Sequence, residues 1–403
     1  MGKGVVKLGE GQWATKDGKL LAAKETNGRF KNTEFTVSRG TDATYVNRNG
    51  LLVNETGDDT PRIDFTDNTD GHLLLEPQST NLINYSEDFS EWTPTNATTT
   101  QNVVTSPDGT VNANKIIATS TTGQQRINFT SSNASGSTTF SFFAKAAEYN
   151  SCWARIGLDN AYFDLENGLS QAASGTTSSI EDFGNGWYRC IMTKASSSAN
   201  EVCRINITTS YLDTDDFLGD DTSGIYLYGG QHEQLSHATS YIPTNGGQVT
   251  RDGETCTGAG EAADFNSEEG ILYAEIAALA NDGNARYLGL NDGSSNNRVV
   301  ILYYVAANAI RAIVEASDVK VLDEYYIVTD VTDFHKVAVK YKANDFALWV
   351  DGEERETSSS GSAPIGLNKL DFTLSSNNFY GKCKAIRVYK EALSDTDLEN
   401  LTS

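Results

Sequence analysis

Short segments in which apolar and polar residues alternate recur along almost the whole of this 403-residue chain. In Cys152–Leu158 every second residue is apolar, whereas Trp153 and Arg155 fall together on the opposite side. Successive side chains of a β-strand point to opposite faces, so this period of two predicts half-buried strands. Gly, Asn, Asp and Ser separate the segments, and methionine (2) and proline (6) are scarce. The chain is therefore predicted to be all-β, with many turns and almost no helix.

The predicted architecture is two antiparallel β-sandwiches after a small N-terminal β segment. The sandwiches are placed at residues 81–245 and 265–403, and the N-terminal segment at residues 1–80. Residues 246–264, which are rich in Gly, Glu, Ala and Thr, are interpreted as a linker.

The closing strand of the first sandwich is predicted at Gly224–Gly229. Ile225 and Leu227 fall on one face, and the tyrosines between and after them fall on the other. The pair Gly229-Gly230 is expected to end the strand. The following Tyr241–Thr244 is expected to be extended, because a proline disfavours helix in the residue before it.

Two tight turns are also predicted from dipeptides. Asn49-Gly50 stands between two short apolar segments, and Asp351-Gly352 follows the strand-like segment that contains Trp349. Both dipeptides favour the positive backbone angles of hairpin turns. Each is therefore expected to join two neighbouring antiparallel strands.

The first predicted sandwich resembles a jelly-roll domain of bacteriophage virion proteins, which is related in shape to carbohydrate-binding jelly rolls. The resemblance covers roughly residues 35–245, of which residues 35–65 resemble the segment preceding this domain in phage tail proteins. It is carried by four stretches: Leu73–Trp92, Phe140–Lys145, Gly184–Cys190 and the end from Gly224 to Thr244 with its Gln231-His232-Glu233-Gln234 step. The resemblance implies a bacteriophage virion protein, such as a tail fibre, head fibre or decoration protein.

The second predicted sandwich is similar to laminin-G-like or concanavalin-like lectin domains. The segments KVAVKYKANDFALWVDGEE, at residues 336–354, and IRVYKEALSDTDLENL, at residues 386–401, carry this similarity. It implies a lectin-like β-sandwich and, with the first domain, binding to a glycan of the host cell surface.

The charge is distributed unevenly over a total of −23. Residues 1–80 carry −2, residues 81–245 carry −10 and residues 246–403 carry −11. Nucleic acid is excluded as a partner, because its binding depends on basic side chains that neutralise phosphates. The acidic domains are expected to project outward and to bind neutral or calcium-bridged glycans. Residues 1–80 are expected to dock to other virion proteins and to assemble a symmetric homo-oligomer, such as a trimer.

Neither a signal peptide nor a segment long enough to span a membrane is expected from the sequence. Five cysteines with no CxxC pair predict neither a disulfide framework nor a zinc site. Synthesis in a host cytoplasm and a final location on the virion surface are therefore expected.

Three places are candidates for glycan contact. Trp153 with Arg155 could stack a sugar ring from an outward strand face, unless a neighbouring domain or subunit covers that face. Trp349 could line a lectin groove, although a strand buried on both faces would place it in a core. The third is a polar loop whose amides and charged groups are suited to bind pairs of sugar hydroxyls. The alternative is an ordinary solvated loop. The candidate residues of this loop are Asn291, Asp292, Asn296, Asn297 and Arg298.

Calcium is the one cofactor that the sequence suggests. Carboxylates on a flexible loop are suitable ligands for this hard cation, and the candidates there are Asp213, Asp215, Asp216 and Asp220. The alternative is a solvated turn, because the loop lacks the EF-hand glutamate. Glu87 and Asp88 are a second candidate pair, since related sugar-binding modules hold a structural ion at the domain entry.

No catalytic pattern is found. The E-x-D-x-x-E strand motif of concanavalin-like glucanases is absent, and Glu353-Glu354-Arg355-Glu356 lacks its spacing. GxSxG, phosphate-loop and dinucleotide signatures are also missing. The predicted function is glycan adhesion or receptor binding by a phage fibre. A structural decoration or head-fibre protein without a specific ligand is the alternative, and a polysaccharide-degrading enzyme is the third hypothesis.

Overall fold

The computed structural model describes residues 6–26, 29–55, 57, 59–66, 68–131, 135–374 and 377–403. In these residues regular helix is limited to Asp395–Thr402 and two short 3-10 turns, Phe89–Glu91 and Ala262–Asp264. None of the described helices has the length and apolar character needed to span a membrane. All five cysteines are free and buried. The prediction of an all-β fold built from antiparallel sheets is confirmed.

The chain divides into two compact units that interleave in sequence. The terminal unit comprises Met1–Asp42, Thr56–Pro77 and Asp252–Ser403, and the inserted unit comprises Ala43–Glu55 and Gln78–Arg251. The predicted separate segment at residues 1–80 does not match this division. The reason is strand pairing, because Val6–Gly9 lies antiparallel to Gly381–Tyr389 near the other end of the chain.

The predicted linker at residues 246–264 is also replaced by paired structure. Val249–Arg251 pairs with Ser79–Asn81 in the inserted unit, and Thr255–Thr257 pairs with Arg29–Ser38 in the terminal unit. Its composition suggested a flexible segment, but backbone hydrogen bonds to strands far away in sequence hold much of it in place.

The terminal unit is a sandwich of a large and a small antiparallel sheet, in the residues that the structure describes. The large sheet contains Val6–Gly9, Ala14–Lys16, Lys19–Thr26, Arg29–Ser38, Arg62–Asp64, His72–Leu75, Thr255–Thr257, Glu269–Ala278, His335–Lys342, Phe346–Val350, Glu353–Ser358 and Gly381–Tyr389. The small sheet contains Arg286–Asn291, Arg298–Tyr303, Ala309–Ala316, Val319–Ile327 and Lys369–Asp371. Thr373–Leu374 and Asn377–Asn378 form a further short pair. One continuous apolar core contains side chains from both sheets.

The inserted unit is the second sandwich, with two sheets of similar size over its described residues. Sheet I contains, in spatial order, Thr93–Thr95, Gln125–Thr130, Val202–Thr208, Ser151–Ile156, Asp159–Asp164 and Leu169–Ala172. Sheet II contains, in spatial order, Ala97–Thr105, Val111–Ala118, Gly224–Glu233, Gly136–Ala146, Trp187–Ser197 and Thr176–Asp182. Alternate residues of both sheets form the core.

A hairpin covers part of the outer side of sheet II. Its strands, Ala43–Val46 and Leu52–Glu55, are joined through Asn49-Gly50, as predicted, and Gly50 adopts φ 74°. Val46 and Leu52 of the hairpin belong to one buried apolar cluster with residues of sheet II. Sheet II is therefore packed on both sides, whereas the outward face of sheet I carries polar residues.

The predicted closing strand is longer than expected. Ile225 and Leu227 lie in the core, as predicted, but the strand runs from Gly224 to Glu233. Gly229 has φ 59° and stands at a shift in register, so the glycine pair forms a bulge and does not end the strand. The apolar alternation that was extended to Leu158 also ends earlier, because the strand stops at Ile156 and Leu158 is exposed.

His232 makes the inserted unit sensitive to acid. The ring is fully buried, and neither nitrogen has a hydrogen-bond partner among the described residues. Burial lowers the pKa of His232 to about 4, against about 6.5 for an unfolded histidine. Between these values the unfolded chain binds the proton and the folded unit does not. Stability is therefore expected to fall by up to about 3 kcal/mol as the pH drops through this window.

Urea unfolding of the inserted unit at several pH values between 4 and 7 measures this effect. A His232→Leu variant should show a smaller loss over the same range, because it removes the group that titrates. An equal loss in the variant and the wild type would show that other groups cause the acid sensitivity.

Candidate functional site

Two rows of polar and aromatic side chains cross the outward face of sheet I. They alternate along their strands with core residues such as Ile127, Ala154 and Ile205, so the strand period turns them outward. The first row runs across four neighbouring strands in the order Arg126, Asn206, Trp153, Tyr162. The second row crosses the same strands in the order Asn128, Arg204, Arg155, Asn160. We call these eight residues the arginine face.

Three positive charges lie close together on this face. Arg155 and Arg204 occupy directly opposed positions, and Arg126 lies diagonally across from Arg204. Opposed residues have Cβ atoms about 4.5–5.5 Å apart, and diagonal neighbours about 7–8 Å. Burial lowers the pKa of Arg126 and of Arg155, and the charge of Arg204 lowers both further. The three guanidinium groups therefore repel one another.

These arginines have few partners in the part of the chain that the structure describes. The Nε atoms of Arg126 and Arg204 are buried without a hydrogen-bond partner, and no described carboxylate forms an ion pair with any of the three. Arg155 donates from Nε to Oδ1 of Asn160 at 2.6 Å, and its guanidinium carbon lies 5.0 Å from the centre of the Trp153 ring. Much of their hydrogen-bonding capacity therefore remains unused.

Asn206 and Trp153 lie at the centre of the first row. Asn206 is 0% exposed, and neither its side-chain oxygen nor its nitrogen has a partner among the described residues. Trp153 is only 1% exposed, so the prediction that its ring is open for sugar stacking needs correction. The ring does point away from the core, as predicted, but Arg155 lies over it. Arg155 is the half-buried, accessible member of the predicted pair.

A separate polar cavity of about 300 Å³ contains the residues of the second calcium candidate. It is lined by Glu87, Asp88, Gln101, Asn102, Asn112, Asn114, Thr244 and Asn245. The Oε1 atom of Glu87 accepts hydrogen bonds from the hydroxyls of Tyr228 and Tyr241, both at 3.1 Å. Burial raises the pKa of Glu87. This carboxyl is therefore held by phenol groups, an arrangement that does not by itself indicate a cation.

The acidic loop uses its carboxylates in local turns. Asp213 accepts from the backbone of Asp215 at 2.8 Å, and Asp220 accepts from the backbone of Ser223 at 2.6 Å. Asp216 acts at a distance, because its charge partly offsets the lowering of the pKa of Arg126. Nowhere in the described residues do three His, Cys, Asp or Glu side chains form a group that could hold a metal ion. Calcium binding by this loop remains a prediction.

The predicted glycan-binding loop of the terminal unit is largely occupied by its own hydrogen bonds. Asn291 is buried and donates to Asp371 at 3.0 Å, and Arg298 forms an ion pair with Glu315 at 2.6 Å. Asp292 accepts from Asn297 at 3.0 Å, which closes the loop. Asn297 is also buried, and Asn296 is the one of the five candidates that is exposed. The polar side chains of this loop therefore mainly stabilise the conformation of the loop itself.

Trp349 does not line a groove. It is 6% exposed and packs in an apolar cluster with Leu398 and Leu401 of the C-terminal helix Asp395–Thr402. Its strand is buried on both faces, because this short helix covers the face opposite the main core. The core interpretation of Trp349 is correct, and the glycan-binding interpretation is not supported by its position.

Sequence reasoning found Trp153 and Arg155 but missed the residues around them. Arg126, Arg204 and Asn206 also alternate with apolar neighbours in the sequence, so their outward direction could have been predicted. What could not be predicted is that antiparallel register brings residues far apart in sequence, such as Arg126 and Asn206 or Arg155 and Arg204, into two adjoining rows.

No protein-family model and no curated protein matches the chain. Among solved structures, it is similar to the Ruminococcus gnavus IT-sialidase CBM40 domain bound to alpha2,3-sialyllactose, with 16% identity and a TM-score of 0.31 over 36% of this chain and 94% of that chain. It is also similar to domains LG4-5 of the mouse laminin alpha1 chain, with 11% identity and a TM-score of 0.22 over 68% of this chain and 89% of that chain. Domain 4 of AbnA, an extracellular arabinanase from Geobacillus stearothermophilus, in complex with arabinotriose, gives 10% identity and a TM-score of 0.31 over 42% of this chain and 83% of that chain. Because these identities and TM-scores are low, we take neither a ligand nor a function from them.

Proposed function

We propose that the inserted unit is a saccharide-binding module whose ligand lies across the arginine face. The observation that carries the proposal is Asn206, a buried amide with no partner for either of its polar atoms among the described residues. Because Asn206 is 0% exposed, a ligand would reach it by displacing the side chains that cover it. Leaving such groups unpaired costs free energy, so sites of this kind call for a ligand or a water molecule.

The chemistry around Asn206 is suited to hydroxyl groups. Asn128, Asn160 and Tyr162 are partly exposed members of the same two rows. Amides and phenols both donate and accept, and guanidinium groups supply several donors in a fixed plane. The face therefore presents hydrogen-bond donors and acceptors at the spacing of adjacent strands. The neighbouring hydroxyl groups of a sugar can bind to such groups.

Binding without catalysis is the activity that we propose. The arginine face itself consists of amides, arginines and aromatic residues, whereas glycoside hydrolysis generally needs two carboxyl groups on either side of the scissile bond. Nearby Asp159 forms an ion pair with Lys194 at 3.0 Å. The proposal would fail on this point if purified protein released sugar fragments from a polysaccharide that it binds.

The biological setting that we propose is the surface of a phage particle, with host-surface glycan as the ligand. This part rests on the resemblance of residues 35–245 to phage virion domains. Docking of residues 1–80 to other virion proteins was predicted from their nearly neutral charge and from their having too few residues to bury a core alone. The second reason no longer applies. The strands that they contribute to the terminal unit pair within the same chain.

Replacing Asn206 tests the saccharide proposal. The wild-type protein should bind members of a glycan array, and Asn206→Leu should weaken that binding about tenfold or more, because two hydrogen-bonding atoms are lost. The same change should leave the free energy of unfolding equal or raise it by about 1 kcal/mol, because it removes an unpaired buried amide.

Asn114→Leu is the matched control. Asn114 is also a buried amide of the inserted unit, but it donates to the carbonyl of Glu87 at 2.7 Å. Its replacement should cost about 1–3 kcal/mol of stability and leave glycan binding unchanged. Unchanged binding by Asn206→Leu, or no bound glycan on the array, would contradict the proposal.

A further inference from the structure

We infer that the saccharide bound on the arginine face carries an anionic group, a carboxylate or a sulfate, which is held by Arg126, Arg155 and Arg204. This inference rests on the proposed function and specifies its ligand class. It differs from the expectation of neutral or calcium-bridged glycans. That expectation was drawn from the net charge of the domains and not from the local arrangement of their few basic residues.

The distribution of charge in the inserted unit is the first argument. Residues 81–245 contain seven Lys and Arg against 17 Asp and Glu. Three of the seven lie together on the arginine face, and two of those are directly opposed. In such an acidic domain, an even scatter of charge would give each arginine a carboxylate neighbour.

The other basic residues of this region do find partners. Lys115 forms an ion pair with Glu148 at 2.8 Å, and Lys194 forms one with Glu201 at 2.8 Å. Arg189 donates to the carbonyl of Thr239 at 2.6 Å. Like Arg189, the three arginines of the face lack an ion pair in the described part of the chain. They differ from Arg189 because they lie directly or diagonally opposite one another.

An oxyanion would relieve two costs at once. Like charges at opposed positions of a sheet destabilise it, and an anion between them removes that repulsion. Guanidinium groups also bind carboxylate and sulfate-like oxyanions through paired hydrogen bonds, which are stronger than neutral ones. The Nε atoms of Arg126 and Arg204 are buried without a partner, so an anion would reach them only if neighbouring side chains moved.

The surroundings favour a sugar that bears one such group over a long polyanion. Asn128, Asn160 and Tyr162 border the arginines and are suited to hydroxyls. A region with a net charge of −10 repels a chain of phosphates at long range. This repulsion is much weaker for a sugar with one anionic group, which the three arginines attract. Nucleic acid is therefore an outcome to be excluded by the test.

The test compares acidic saccharide probes with neutral counterparts. Trigalacturonate and its fully methyl-esterified form share one carbohydrate skeleton, and sialyllactose and lactose form a second pair. Titration calorimetry with the whole 403-residue chain should show that an acidic probe binds at least about tenfold more tightly than its neutral counterpart. The affinity for the acidic probe should fall with rising sodium chloride concentration.

Variants connect this preference to the arginines. Arg155→Gln and Arg204→Gln should each weaken binding of the acidic probe about tenfold or more, and the urea midpoint of the inserted unit should stay the same or rise. Arg204→Lys should retain part of the affinity, because the charge remains. Lys145→Gln, which removes one charge from sheet II, is the control and should bind like the wild type.

Each alternative outcome has a distinct meaning. Equal binding of acidic and neutral probes would overturn the inference and leave the saccharide proposal intact. Binding of neither type would overturn both. Inorganic sulfate binding as tightly as the acidic saccharides would show a simple anion site, and a preference for single-stranded DNA would show a nucleic-acid site; either result would overturn the inference.

Discussion

Deleting residues 1–42 is expected to abolish folding of the terminal unit. The deleted strands include Val6–Gly9, which pairs with Gly381–Tyr389, and they carry six buried core side chains: Val6, Leu8, Leu20, Ala22, Phe35 and Val37. Burying one large apolar side chain contributes about 1.5–3 kcal/mol. Together these side chains contribute as much as the total stability of a typical domain, about 5–15 kcal/mol.

Hydrogen exchange measured by mass spectrometry can detect this loss locally. The deletion should remove protection from Glu269–Ala278 and Gly381–Tyr389 in the terminal unit, while Gly136–Ala146 in the inserted unit stays protected. Two substitutions in one strand provide a finer comparison. Phe35→Ala should cost about 3–5 kcal/mol, whereas Thr36→Ala, at an exposed neighbour, should cost less than about 0.5 kcal/mol. Protection of the terminal unit after the deletion would contradict this expectation and would agree with the prediction of a separate N-terminal segment.

Replacing Glu254 by glutamine is expected to destabilise the terminal unit by about 3–5 kcal/mol. Glu254 is 0% exposed and accepts hydrogen bonds from Arg39 at 2.8 Å and from Arg62 at 2.9 Å. Arg62 also forms an ion pair with Glu76 at 2.9 Å. The substitution keeps the shape of the side chain but leaves buried arginines without their shared carboxylate. An uncompensated buried charge is the costly state.

The protonation of this network supports the direction of the effect. Burial by itself lowers the pKa of Arg62, but Glu254 and Glu76 raise it above its ordinary value. The charged, ion-paired state of Arg62 is therefore the stable one in the presence of these two carboxylates. Urea unfolding followed by hydrogen exchange in Glu269–Ala278 measures the change, and Glu353→Gln is the control, since that carboxylate is largely exposed. A loss below about 1 kcal/mol in Glu254→Gln would mean that the network rearranges around the amide.

The sequence by itself determined the fold class and many local features of this protein. The period of two that predicts strands acts over a few residues, and so does the preference of certain dipeptides for hairpin turns. Asp351-Gly352 does form the predicted turn, with φ of 50° and 81°, between Phe346–Val350 and Glu353–Ser358. The outward direction of Trp153 and Arg155 was also readable, because it depends on the same alternation.

Only the tertiary structure decided which distant strands pair. Val6–Gly9 completes a sheet with a strand that begins at Gly381, and the glycine-rich stretch before Thr257 contributes strands to both units. Local composition carries no information about such partners, because a strand's pattern specifies a face to bury and not the chain that covers it. For this reason the domain boundaries differed from the prediction.

The candidate site depends on the same long-range information. Arg126, Arg155 and Arg204 each look like an ordinary outward residue in its own strand. Their common position follows from the register of three antiparallel strands, which is fixed by backbone hydrogen bonds and by core packing on the opposite face. Because a shift of one residue would turn each arginine into the core, burial of the apolar face is what places the three charges side by side.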